Sequence, residues 1–440
     1  MVSININYSK MYEIGKSILL KATARVGAVA FCVHRVLNIK KLMYNINRIR
    51  LLLLVIKLIC KGEYCMCLRT LHIENYSAFR NLDIDFCKGV NVFIGENGTG
   101  KTHLMKLLYS ACQAADQKTS FSQKLVNCIL PDDYKISHLV HKGTEKAFVD
   151  IQGWDEEDGV SFLKMYFSNR TKKWDARVVG EEDWEFALGR HNSVFIPAKE
   201  ILSNSYNLNA AVAKNNVKFE DTYLDVLNSA KIDVSNDSQK DSCIYDIPED
   251  DNPKHVCEML PVYMETTFDG SYINKCFQRN LFLQPLEKII GGTVFYDDKK
   301  DTFYIKKSRR KEEFNLVAEG IRKLALLWQL INNGALNSGA VLFWDEPEAN
   351  INPAHIATVA EILLALQRMG VQIFISTHDY VLAKYLEIRK DKYDEVLFHS
   401  FNKVDNDIAY EYGTKFGEIK NNMIVKSFDA LLNEIYDLGD

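Results

Sequence analysis

Residues 95–102 read GENGTGKT, and no other run constrains this chain so strongly. The spacing G-x-x-x-x-G-K-[ST] is met by Gly95, Gly100, Lys101 and Thr102, with Glu96, Asn97, Gly98 and Thr99 between them. Glycines let the backbone curl until successive N–H groups point inward at phosphate oxygens. A lysine at this spacing reaches the β- and γ-phosphates, and the following hydroxyl can ligate Mg2+. The flanks agree: Val90–Ile94 is a short apolar run that reads as a strand, and His103–Ala114 has helical spacing. The anion would sit on a helix N-terminus, where unpaired N–H groups and the macrodipole favour negative charge. The loop predicts ATP and Mg2+ as ligands.

A second constellation lies far downstream. Ala340–Trp344 is a continuous apolar run, as expected of a strand buried on both faces, and it ends in Asp345-Glu346. Open α/β sheets place their chemistry at the carboxyl ends of such strands. Asp345 is expected to hold Mg2+ through water, and Glu346 to orient or deprotonate the attacking water. Pro353 suits a first helical turn, Ala354–Met369 reads as an apolar helix, and Gly370 closes it. Val371–Ile375 is another buried-strand candidate, ending in Ser376-Thr377-His378-Asp379. His378 is expected to contact the γ-phosphate.

Together these segments resemble the Walker A, Walker B and histidine-switch segments of ABC-type ATPases. More narrowly, the chain resembles the coiled-coil-free prokaryotic AAA family ATPases related to the OLD, RecF and SMC heads. In Leu68–Phe86 the residues Asn75, Tyr76, Phe79 and Arg80 match that group's asparagine-aromatic-x-x-aromatic-arginine pattern, and Val194–Leu202 resembles a segment of its defence-associated members. The resemblance implies an α/β P-loop NTPase fold, an ABC-ATPase-like head with an antiparallel β lobe and a helical insertion. It also implies ATP hydrolysis, with Glu346 and His378 catalytic, and a cytoplasmic homodimer or higher homo-oligomer whose heads meet across two nucleotides.

Such a dimer needs a signature segment that completes the partner's site. The candidate is Val317–Lys323, set before an amphipathic helix, with Gly320 facing the nucleotide in trans. It departs from the family pattern, since Ala318 stands where a serine is usual, Glu319 adds negative charge, and Asn352 replaces an aspartate common in transporters.

Composition frames the rest. At 440 residues and 47% hydrophobic, the chain has room for about two or three domains. The expected division is a basic extension 1–65, an N-terminal ATPase lobe 66–205, a helical acidic insertion 206–290, a C-terminal ATPase lobe 291–400 and a tail 401–440. Residues 1–65 carry 11 Lys/Arg against 2 Asp/Glu, and the remainder carries 43 against 56. That acidic body disfavours bulk nucleic-acid binding, although a RecF-like DNA role stays open as the alternative reading. Apolar stretches within 1–65 are too short for a membrane span of about 20 residues. A purine-rich coding sequence for Lys61-Gly62-Glu63 would make Met66 a plausible start. Ten cysteines without a C-x-x-C pair suit a reducing compartment.

Residues 115–200 read as mainly β, and Gly292–Lys307 as a hairpin leading to the basic run 306–311. Glu220–Asp269 holds 13 acidic residues and three lysines, read as a solvated surface or, more sharply, a docking face. Only 62 residues follow His378, too few for an OLD-type nuclease domain. The expected role is therefore a nucleotide-driven switch for a separately encoded effector, in anti-phage defence.

Overall fold

The computed structural model describes residues 67–437, apart from 116–118, 156–158, 189–190, 207, 216–217, 233–281, 309 and 406. The basic extension and most of the acidic run therefore lie outside the described residues. Among the described residues, fourteen strands form three sheets. The strands are β1 (Cys67–Tyr76), β2 (Phe79–Asp85), β3 (Val90–Gly95), β4 (Lys146–Asp155), β5 (Gly159–Ser168), β6 (Arg177–Val179), β7 (Ser193–Ile196), β8 (Thr293–Asp297), β9 (Thr302–Lys307), β10 (Arg310–Glu313), β11 (Val341–Asp345), β12 (Gln372–Thr377), β13 (Val396–Val404) and β14 (Asp407–Gly413). The helices that matter are α1 (Lys101–Ala114), α2 (Phe121–Ile129), α3 (Glu181–Leu188), α4 (Leu208–Asn215), α5 (Asp221–Lys231), α6 (Gln284–Ile290), α7 (Glu319–Asn332), α8 (Pro353–Arg368), α9 (Tyr380–Arg389) and α10 (Met423–Asp437).

The central sheet has the order β14-β13-β3-β12-β11-β7, parallel except for β14. Its middle strands are buried on both faces, which is why they read as unbroken apolar runs. Alternation divides their side chains between two cores. Val92, Ile94, Leu342, Trp344, Ile373 and Ile375 join α7, α8 and α9 on one side. Phe93, Phe343 and Phe374 join α1 and the antiparallel sheet β2-β1-β4-β5-β6 on the other. The α/β head with an antiparallel lobe is thus the observed architecture.

Several local expectations change. The stretch expected to be mainly β also holds α2 and α3. Ser120 caps α2 by accepting from Gln123 N–H, and Phe121, Leu125 and Cys128 supply a helical buried stripe. In α3, Trp184 is 1% exposed and its indole N–H donates to Ala111 O at 2.8 Å. The start of the acidic run is not simply solvated. Glu220 pairs with Lys106 of α1 at 2.7 Å, and Asp221 and Asp225 pair with Lys124 of α2 at 3.0 and 2.7 Å. Burial pulls the Lys124 pKa down, but the neighbouring Asp225, Cys128 and Asp221 raise it overall. The acidic residues thus dock α5 onto α1, the helix that follows the glycine loop, and onto α2. The basic run spans the end of β9 and the start of β10, which pair as a second hairpin, and the boundary drawn at 400 falls inside β13. Among the described residues, no helix is long and apolar enough to cross a membrane.

A buried histidine ties the central sheet together. His399 on β13 is 0% exposed; its Nε2 lies 3.2 Å from Asn91 Oδ1 and its Nδ1 2.9 Å from the Tyr410 hydroxyl. Burial pushes its pKa down to about 3, from an unfolded value near 6.5. The unfolded chain therefore binds the extra proton across that window, so this contribution is intact above pH 6.5 and is lost as pH falls. Between pH 6.5 and 5 the loss is about 2 kcal/mol. Thermal midpoints of the parent and His399→Asn across that range test it, and parallel slopes would remove His399 as the cause.

Candidate functional site

The glycine loop joins β3 to α1. Gly95, Gly98 and Gly100 all have left-handed φ, at 143°, 77° and 92°. At Gly100 the need is double, because a Cβ there would also lie 2.6 Å from the Phe79 ring. That explains the aromatic at Phe79, which is 1% exposed and forms a wall behind the loop. Asn75 likewise occupies left-handed backbone, at φ 53°, where asparagine is tolerated. Gly100 is the N-cap of α1, and no side chain caps that end. A 14-residue helix thus offers its first N–H groups to an acceptor from outside, as the phosphate reading requires.

Lys101 is 6% exposed and folds back onto its own loop, donating to Gly95 O at 2.9 Å and Glu96 O at 2.8 Å. Burial lowers its pKa to about 8, against the opposing pull of Asp345 and Glu346. Glu96, Asn97 and Gly98 are exposed on the outer turn, whereas Thr99 is buried and its hydroxyl donates to Glu96 O at 2.9 Å. A lysine held by loop carbonyls, beside an uncapped helix end, fits a polyphosphate.

The parallel register brings the distant acidic pair to this loop. β12 lies between β3 and β11, with Asp345 opposite Ser376 and Thr377 opposite Ile94. The Thr102 hydroxyl donates to Asp345 at 3.1 Å across 243 residues, and Ser376 Oγ donates to the same carboxylate. A carboxylate paired with two hydroxyls is a hard-oxygen set that fits Mg2+. Asp345 is the last residue of β11, and Glu346 follows in left-handed backbone at φ 46°. Its carboxylate stays partly exposed, 3.8 Å from His378 Nε2. Burial and then Lys101 lower the His378 pKa, which favours a neutral imidazole. Lys101, Thr102, Asp345, Glu346 and His378 therefore form one cluster.

Gly320 is not part of that cluster. The candidate signature does not precede its helix, because α7 begins at Glu319 with Ala318 as the N-cap. Glu319 in the first turn complements the helix dipole. Gly320 is buried against the loop after β11, where a Cβ would sit 2.1 Å from Asn350 O. A glycine is thus demanded by packing within the chain. Arg322 forms an ion pair with Glu200 at 2.7 Å, so the segment Val194–Leu202 anchors this helix. Asn352 serves as the N-cap of α8, accepting from Ala354 N–H at 3.0 Å.

Four further residues neighbour the cluster. Ser376 touches Asp345, and Lys403 of β13 donates to Asn97 O at 2.8 Å. Glu348 accepts from the Thr377 hydroxyl, and burial raises its pKa. Lys323 is buried beneath the loop after β11, and burial lowers its pKa against the pull of Glu348 and Glu319. Ser376, at the strand end before His378, and Lys323, last in the candidate signature, lie within segments the sequence singles out, whereas Lys403 and Glu348 have no signal of their own.

A family model described as an AAA domain matches residues 70–258. Over 91 residues the chain is 32% identical to the DNA replication and repair protein RecF of Streptococcus suis (strain 05ZYH33), covering 21% of this chain and 25% of that protein. Over 137 residues it is 23% identical to RecF of Enterococcus faecalis (strain ATCC 700802 / V583), covering 31% and 32%. The chain thus spans between a quarter and a third of the length of these curated relatives. A solved Smc head with an extended coiled coil, bound to the C-terminal domain of ScpA derived from Pyrococcus furiosus, aligns at a TM-score of 0.47 and 13% identity, over 84% of this chain and 100% of that one. An AAA-domain match over residues 70–258, a partial likeness to RecF and this parallel sheet order around a glycine loop together mark the chain as a P-loop NTPase-type α/β fold with an ABC-ATPase-like head.

Proposed function

We propose that this chain binds ATP with Mg2+ and hydrolyses it as a nucleotide-driven switch in DNA repair or maintenance. The observation that carries the ATPase reading is the hydrogen bond from Thr102 to Asp345, which joins loop and acidic strand end. Gly95–Thr102 wrap the phosphates, with Lys101 turning from its loop carbonyls to the β- and γ-oxygens. Thr102 and Asp345 would hold Mg2+, which supplies charge neutralisation on the phosphates when bound. Glu346 orients the attacking water and accepts its proton, while neutral His378 can donate to a γ-phosphate oxygen. Two heads meet face to face, and Gly320 with the uncapped start of α7 completes the partner's site.

The RecF relatives are DNA replication and repair proteins, which favours DNA maintenance over an anti-phage effector switch. Exposed Lys306, Lys307, Arg310 and Lys311 at the β9–β10 turn are the first surface to test for a phosphate backbone. Phosphate release by purified protein should require Mg2+ and should change severalfold with duplex or single-stranded DNA. Turnover and fluorescence anisotropy that ignore both DNAs at low salt would reject the DNA arm, and absent turnover would reject the ATPase.

A further inference from the structure

Lys323, in the second turn of α7, is 1% exposed. A buried ammonium must find acceptors or neutralise. Lys323 Nζ donates to two carbonyls of the loop after β11, Glu346 O at 2.9 Å and Ala349 O at 3.1 Å. One turn earlier, Gly320 lets the helix backbone settle against Asn350 and Ile351 of the same loop. The loop is conformationally costly, with Glu346 at φ 46° and Asn350 at φ 64°, so its shape depends on what grips it.

The opposite side of the loop is gripped by β12. Glu348 Oε1 accepts from the Thr377 hydroxyl at 2.7 Å and from His378 N–H at 3.1 Å. Glu346 N–H donates to Ser376 O at 3.0 Å. Residues 346–351 thus lie between α7 and the strand end that carries His378, with one charged side chain fastening each side.

We propose that Lys323 and Glu348 are positioning residues that make this loop a rigid bridge, so that the first turns of α7 and the Glu346–His378 pair move as one. The inference rests on the ATPase reading of Glu346 and His378, and it adds how an event at α7, such as contact with a second head, reaches them. Neither residue touches the reacting atoms. Both act through the backbone they hold.

The test uses the full chain, with Lys323→Met, Lys323→Arg and Glu348→Ala compared with the parent. In nucleotide-free protein, hydrogen exchange at 376–379 should quicken at least about tenfold in Lys323→Met, although Lys323 makes no hydrogen bond to that segment. Lys323→Arg keeps donors at the position and should restore part of the protection. Glu348→Ala should give the mirror effect, with faster exchange at 319–323, and it decides the matter if Lys323→Met does not fold. In turnover, Lys323→Met should lower kcat roughly tenfold or more while KM for ATP moves less than about threefold, since the phosphate-facing groups are untouched. Exchange changes confined to the mutated side would overturn the bridge, whatever the turnover. If the parent itself does not hydrolyse ATP, the ATPase reading fails, and the exchange measurements still decide the bridge.

Discussion

Lys101→Ala is expected to weaken nucleotide binding at least ~100-fold. The side chain is the only cation within the loop Gly95–Thr102, and it is held at the mouth of an uncapped helix. Losing two charge-assisted hydrogen bonds to phosphate costs roughly 3 kcal/mol or more, which is about two orders of magnitude in affinity. Stability should change little in the same variant. The ammonium is desolvated on its own loop, and its partners Gly95 O and Glu96 O belong to that loop. Titration of a fluorescent ATP analogue, alongside thermal melts, separates the two effects. Unchanged affinity would mean that GENGTGKT is not the nucleotide site.

Glu346→Gln is expected to leave binding intact and to lower turnover at least ~100-fold, the usual contribution of a positioned general base. The amide is isosteric but cannot accept the proton from water. The left-handed backbone at position 346 already carries a non-glycine residue, so the substitution adds no backbone strain there. With ATP persisting, the two-headed form should accumulate, read as a doubled mass in size exclusion with ATP and Mg2+. Normal phosphate release by the variant would take Glu346 out of the reaction. A monomer with ATP trapped would argue against the face-to-face arrangement.

Much of this fold was written locally. GENGTGKT needs only the backbone freedom of its glycines and the helix that follows it. The strands β3, β11 and β12 announce themselves as apolar runs because both faces are buried, and their carboxyl ends carry Lys101, Asp345-Glu346 and His378 on or just beyond them. The hairpin between β8 and β9 was legible for the same reason, since turn residues separate two short runs. Short-range signals failed where two readings competed, as with α2, whose serine cap and apolar stripe lay inside a stretch of β-rich spacing.

What the chain order could not give was neighbourhood. That β12 lies between β3 and β11 decides that Thr102 and Ser376 meet Asp345, and no period in the sequence encodes a contact across 243 residues. The fates of charged residues were equally hidden. Asp225 belongs to a run that reads as solvated surface or docking face, yet it pairs with Lys124 at 2.7 Å and docks α5. Lys323 closes the candidate signature and Glu348 has no signal of its own, yet burial makes each seek partners on another element. By itself the sequence determined the glycine loop, the acidic strand end and the class of fold, because each depends on residues a few positions apart. Only the tertiary structure decided which of these meet and what holds them, because hydrogen-bond register and desolvation are set by partners far away in the chain.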